Sequence, residues 1–169
     1  MPADFPAAKK RVVQLRDPLP GDMGWVIQQH GELYAREYGF NAEFEALVAG
    51  IVATYMRKHQ PEWERCWIAD VDGQRAGSVF LVRKSKTVAQ LRLLILTPAT
   101  RGLGLGARLS DECIAFARAK GYKKIVLWTN NCLIDAIRIY QRRGFQLVKT
   151  EAYHGFGQDL VGETYEMKL

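Results

Sequence analysis

The sequence has no apolar run near the roughly 18 residues that a membrane-spanning helix needs, which excludes a helical span. It is poor in cysteine. Cys66, Cys113 and Cys132 are odd in number, with neither CxxC nor metal-type spacing. That excludes a disulfide framework and a cysteine metal site, and reduced cytosolic thiols are the simplest account. The opening MPADFPAAKK has no apolar core of a signal peptide, so residues 1–10 are expected to be a flexible arm. There is no internal repeat, low-complexity tract or dividing linker, and residues 11–169 are expected to form a single domain. GLGLGA at 102–107 lacks the Lys-Ser/Thr of an NTPase phosphate loop. Its third glycine is misplaced for a dinucleotide fingerprint, and no βαβ unit begins the chain.

What is present is ordinary for a soluble globular protein: 169 residues, 48% hydrophobic and 25% charged. The net charge of +6 raises nucleic acid as a partner. The basic residues are scattered, however, with short clusters at Lys9–Arg11, Arg83–Lys86 and Arg142–Arg143. None is interleaved with a reading helix or an aromatic platform, so nucleic-acid binding is disfavoured. The same charge suits an anionic cofactor.

Leu91–Phe116, LRLLILTPATRGLGLGARLSDECIAF, organises the rest. Leu91–Leu96 is a strand-length apolar run ended by Pro98. Arg101 and glycines 102, 104 and 106 follow. Leu105, Leu109, Cys113 and Phe116 then recur as the buried stripe of a helix. A glycine-lined turn opening a helix presents bare N–H groups beside the positive end of a dipole, which suits phosphate. On the glycines alone, a tight turn with no ligand is an equal reading.

Around this stretch the patterns give a strand at Arg11–Arg16 and a helix over Met23–Tyr38, with Asp22 as N-cap and Gly39 as stop. A second helix follows Asn41 and runs to about Lys58. Strands are expected at Glu64–Val71, Gln74–Arg83 and Val88–Leu96, the first two joined at Asp72-Gly73. Gly121 stops the central helix, and Lys124–Thr129 is a strand parallel to Val88–Leu96. Leu133, Ala136, Ile137 and Tyr140 mark a short helix ended by Gly144. Phe145–Tyr153 and Glu163–Leu169 close the chain as strands. The result is an α+β (mixed αβ) fold with seven strands and four helices, not a doubly wound one.

Arg101, Gly104 and Gly106 after an L-x-L-x-P strand resemble the R/Q-x-x-G-x-G/A signature of the GNAT superfamily of N-acetyltransferases. Ala136, Tyr140, Gly144 and Phe145 resemble that family's A-x-x-x-Y-x-x-x-G-F element, and the element order matches its fold, a mostly antiparallel sheet with a splayed parallel pair. The stretches GDMGWVIQQHGELYAREYGF and HGFGQDLVGETYEMKL look like the acetyltransferase module found alone or fused behind MarR-type regulators. No winged-helix segment is present, so DNA binding does not carry over.

The resemblance implies acetyl-CoA as cofactor and direct acetyl transfer to a small-molecule or peptide amine, in a cytoplasmic protein for which a homodimer is an option. It places coenzyme A against Leu94, Ile95 and Leu96, whose N–H groups would polarise the thioester carbonyl. It also places it on the loop residues Arg101, Gly102, Leu103, Gly104, Leu105, Gly106 and Ala107. Tyr140 stands where the family supplies the proton to the leaving thiolate, and a core tyrosine is the plain alternative. Leu133 occupies the slot where the family usually has Asn, and Asn130 or Asn131 is the substitute. The amine needs a base. Glu37, Gln90, His154 and Asp159 are the groups weighed, although Gln90 cannot take a proton; Glu37 reads more readily as a solvated carboxylate or an ammonium anchor, His154 equally as an acceptor-site residue or a structural donor, and Asp159 as a loop cap. Tyr34, Glu37, Tyr38 and Phe156 are expected on the acceptor side, with Trp25, Trp128 and Tyr153 nearby. No metal is implied. Other readings are a non-catalytic acyl-CoA sensor, an acyltransferase using another acyl-CoA, or a nucleic-acid module.

Overall fold

The computed structural model describes residues 10–169. Most of the expected N-terminal arm, residues 1–9, lies outside the described residues. The order is β1 (Val13–Arg16), α1 (Asp22–Tyr38), α2 (Ala42–Lys58), β2 (Arg65–Val71), β3 (Gln74–Arg83) and β4 (Val88–Leu96). Then come α3 (Leu105–Ala119), β5 (Lys124–Asn130), α4 (Ile134–Arg142), β6 (Gln146–Gly155) and β7 (Gln158–Lys168). One seven-stranded sheet runs β1-β2-β3-β4-β5-β7-β6. The fold is the mixed αβ architecture expected, with one parallel pair, β4–β5.

The central strands read as unbroken apolar runs because both sheet faces are covered. Strand residues alternate between faces. Cys66, Ile68 and Phe80 face a core shared with Val26, Val48, Val52 and Tyr55 of α1 and α2. Trp67, Ala69, Val79 and Leu81 face the opposite core, shared with Leu105, Leu109, Cys113 and Ala117 of α3. Fully burying each aliphatic side chain contributes about 1.5–3 kcal/mol.

Local chemistry sets the ends. Gly39 closes α1 in the left-handed region and donates its N–H to the Ala35 carbonyl. Asn41 opens α2, its side chain accepting from the Glu43 N–H. Asp22 does not cap α1 as the sequence suggests. Gly21 holds the N-cap position, and the nearly buried Asp22 is the first helical residue. Its carboxylate is taken by Arg16 at 2.6 Å and by the Leu19 N–H at 2.7 Å, so an ion pair from β1 outcompetes capping.

The last hairpin is longer than its sequence implies. β6 extends to Gly155 and β7 begins at Gln158, joined by Phe156-Gly157 with φ of 54° and 82°. Two positive φ values make a tight two-residue hairpin turn, which an aromatic at the first position hides from sequence.

The register matters most at β4. It pairs with β5 only over Val88↔Lys124, Ala89↔Ile125 and Gln90↔Val126. Beyond Gln90 the two strands have no pairing with each other, while β5 stays paired with β7 along its length. The sheet opens into a cleft at the C-terminal end of β4.

Candidate active site

A β-bulge shapes the wall of the cleft. Ser78 pairs with Ile95 and Phe80 with Arg92. One β3 residue, Val79, therefore faces two β4 residues, Leu93 and Leu94. Leu93 has φ of 53°, which costs a leucine about 1–2 kcal/mol. The buried Ser78 hydroxyl donates to the Leu93 carbonyl at 3.4 Å and helps hold it. Strain of this kind collects at functional sites.

The turn after β4 supplies bare amides. Arg101 donates its N–H to Pro98, and Arg108 donates the first helical bond of α3 to Gly104. Between them, the amides of residues 102–107 meet no acceptor among the described residues, and no side chain caps α3. Gly102 and Gly104 have φ of 80° and 71° with open space where a Cβ would stand. Gly106 serves packing instead. A Cβ there would lie 2.8 Å from Ile139 Cδ1 and 3.3 Å from Leu96 Cδ1. Leu103 is exposed, Leu105 buried and Ala107 half-buried.

Two cavities fill the cleft. The outer one, about 450 Å³, is lined by Leu94, Ile95 and Leu96 of β4, by Arg101 and Gly102, by α4 and by Tyr34, Glu37 and Tyr38 of α1. The inner one, about 130 Å³, is lined by Gln90–Leu94, Trp128–Asn130, His30, α2 and Tyr140. Tyr34, Leu94, Leu133 and Ala136 line both and form the partition.

Tyr140 is nearly buried, and its hydroxyl has no partner among the described residues. Burial pushes its pKa up, so it stays protonated. Asn130 lies buried at the inner cavity and accepts from the Tyr153 hydroxyl. Asn131 is exposed. Leu133 sits at the N-cap of α4, with no side-chain cap, and presents an apolar surface to both cavities.

The cleft brings together only some of the acceptor-side candidates. Glu37 is neither a free carboxylate nor a free ammonium anchor, because Arg101 pairs with it at 2.8 Å. His154 lies on the exposed end of β6 with Nδ1 2.8 Å from Asp159, and both line neither cavity. Phe156 lines neither and packs against Phe40 and Phe44. Trp25 stacks under Arg75. Trp128 does reach the inner cavity. Of the four groups weighed as base, only Gln90 lines it, and an amide cannot take a proton.

Two residues that sequence reasoning missed line the inner cavity. His30 sits at one helical spacing from Val26 and Leu33 on the buried stripe of α1. Its Nδ1 is 2.8 Å from the Val26 carbonyl, which makes Nδ1 the donor, and its Nε2 is sealed and unpartnered. Burial lowers its pKa to about 4, so the imidazole is neutral. Arg92 is half-buried and is the one charged side chain lining this cavity. The signal for each was a lone polar residue inside an apolar pattern.

Comparisons with known proteins bear on the family and the fold. A family model described as acetyltransferase (GNAT) family matches residues 25–145. An uncharacterized N-acetyltransferase of Schizosaccharomyces pombe is 32% identical over 123 residues, 72% of this chain and 74% of that protein. A Xenopus tropicalis protein named for N-acetyltransferase activity, camello, is 28% identical over 130 residues, 70% of this chain and 58% of its own length. The chain thus spans little more than half of that relative. Among solved structures, an acetyltransferase from Salmonella typhimurium, determined with acetyl-CoA, superposes with a TM-score of 0.74 at 17% identity. The match covers 92% of this chain and 93% of that one, and at this identity it is a likeness of fold.

Proposed function

The chain belongs to the acetyltransferase (GNAT) family, and from that premise we propose that it moves an acetyl group from acetyl-CoA to the primary amine of a small molecule or peptide. The observation that carries this reading is the run of unpartnered amides at residues 102–107, opening α3 beside the cleft where β4 leaves β5. Those residues fit the cofactor. Six amides and Arg101 suit a pyrophosphate, and Leu94, Leu96 and Ile139 give the outer cavity an apolar wall for a narrow chain. When bound, acetyl-CoA supplies a thioester carbonyl open to attack by a neutral amine.

The protein's own groups then have distinct tasks. The β4 edge past Gln90 has no β5 partner and offers backbone N–H groups near Leu94–Leu96 as oxyanion-type donors. Tyr140 holds its proton on a buried hydroxyl and is the donor available to a departing sulfur. Tyr140 is itself nearly buried, and a hydrogen bond from a buried hydroxyl is stronger than one made in water. The reading includes a cytoplasmic location, alone or as a homodimer. Among the described residues, no helix is long and apolar enough to cross a membrane.

The test is release of free CoA from acetyl-CoA, followed with a thiol reagent, across amino acids, polyamines, aminoglycosides, aryl-alkyl amines and a lysine-rich peptide. Cofactor binding is measured in parallel. Amine-dependent release is expected. Binding without release on any amine would favour a sensor, and no binding would overturn the reading of the glycine turn.

A further inference from the structure

Three of the half-buried arginines hold carboxylates: Arg16 holds Asp22 and Asp70, Arg65 holds Asp17, and Arg143 holds Asp111. Arg83 has no carboxylate but reaches the Ser85 carbonyl and the Gln60 amide oxygen. Arg92 has neither. It projects from β4 opposite Phe80, beside the bulge at Leu93, and finds no carboxylate or other acceptor among the described residues. Burial lowers its pKa, with no counter-charge to offset that. A half-buried cation without a partner is costly to keep.

The surroundings suit an anion. No acidic residue lines the inner cavity. Arg92 and Gln90 also line a wider groove of about 680 Å³, so Arg92 stands where groove and cavity meet. That groove carries Lys58 and Arg83 as well. Its one acid, Glu64, already accepts from the N–H groups of Arg83 and Gln60. A polycationic amine approaching this way meets like charge, whereas a carboxylate is drawn in.

We propose that Arg92 binds the carboxylate of the acceptor, so that the amine substrate is an amino acid or another small amine bearing a carboxylate. This rests on the acetyltransferase reading above and names its substrate class. The planar fork of a guanidinium suits two-point binding of a carboxylate. The inner cavity, at about 130 Å³, has room for a few non-hydrogen atoms, which leaves the rest of the acceptor to the groove.

The experiment uses the full chain with acetyl-CoA and follows CoA release. The acceptors are the individual proteinogenic amino acids, their matched carboxamides, unblocked dipeptides, spermidine and 2-phenylethylamine. At least one free amino acid should be preferred over its carboxamide by roughly 10-fold or more in kcat/KM, the size expected for one charge-assisted pair. Arg92→Gln should raise the KM of that acid by roughly 10- to 100-fold and abolish the preference, with the acetyl-CoA KM unchanged. Arg92→Lys should restore part of it. Dipeptides separate a free amino acid from a chain terminus as the source of the carboxylate.

Equal use of acid and carboxamide by the unmodified protein would overturn the assignment while the acetyltransferase reading stands. So would preference for spermidine or 2-phenylethylamine, or an acid preference that survives Arg92→Gln. No release with any amine would instead overturn the acetyltransferase reading, and this proposal with it. The acid–carboxamide comparison needs no variant, so a misfolded Arg92→Gln protein would not rescue the idea.

Discussion

The outer and inner cavities share a partition, yet they are built in opposite ways. The outer one is a backbone site. It opens at Gly102 onto the run of unpartnered amides at residues 102–107, and its arginine, Arg101, is already matched by Glu37. The inner one is a side-chain site. Arg92, Tyr140 and His30 all line it, and the guanidinium, the hydroxyl and Nε2 have no partners among the described residues. A backbone site depends on turn geometry and tolerates changes of side chain outside the glycines that set that geometry. A side-chain site depends on α1, α2, β4, β5 and α4 arriving together, so a single substitution reaches its chemistry. The contrast predicts that single side-chain changes cut deeper in the inner cavity than in the outer one.

The largest effect should come from Tyr140→Phe. Loss of one positioned proton donor lowers kcat by about 100- to 10 000-fold, while the acetyl-CoA KM stays near its original value. Stability should hardly change, because the hydroxyl bonds nothing within the protein. Steady-state kinetics with the preferred amine decide it. A raised acetyl-CoA KM with kcat intact would assign Tyr140 to cofactor binding and dissolve the division between the two cavities.

The next effect is on stability. His30 is neutral in the fold with a pKa of about 4, below the ordinary histidine value of about 6.5, because burial penalises the charged ring. Between these values the unfolded chain binds more protons, so acid favours unfolding. The contribution is fully present above pH 6.5 and is lost as the pH falls towards 4, by about 3 kcal/mol. Urea unfolding at pH 7 and pH 4 measures it, with His30→Leu as the reference that lacks this slope. An equal pH dependence in both proteins would mean that His30 is solvated, and that the inner cavity is wetter than its lining implies.

The outer site was the legible one. The strand, the turn glycines and the helix stripe lie within Leu91–Phe116, so local chemistry and the family signature point at the same residues. The element order and the parallel β4–β5 pair were legible too, since each element carries its own period and stops. The length of the β6–β7 hairpin was not, because Phe156 takes a positive φ that sequence does not advertise. Asp22 was misread because its partner Arg16 belongs to another element. Glu37 was misread for the same reason, with Arg101 lying 64 residues away. Arg92 and His30 went unnoticed because an apolar pattern absorbs one polar residue without changing its period. What sequence hides is the long-range pairing of charges, and the inner cavity is defined by pairings that are missing.

Glu37→Gln tests the other side of the contrast and should have the smallest effect. The pair it breaks joins α1 to the glycine turn, with about half of the Arg101 side chain exposed. An exposed ion pair contributes at most about 1 kcal/mol, so the unfolding midpoint should barely move. Arg101, released, turns to whatever anion occupies the outer cavity, and the acetyl-CoA KM should fall slightly or hold within about threefold. Kinetics at two ionic strengths would separate these outcomes, because a freed surface guanidinium makes cofactor binding more salt-sensitive. A large rise in that KM would show that Glu37 positions Arg101 rather than masking it. The outer site would then depend on a side-chain pair as firmly as the inner one depends on Arg92, and the opposition between the two would fail.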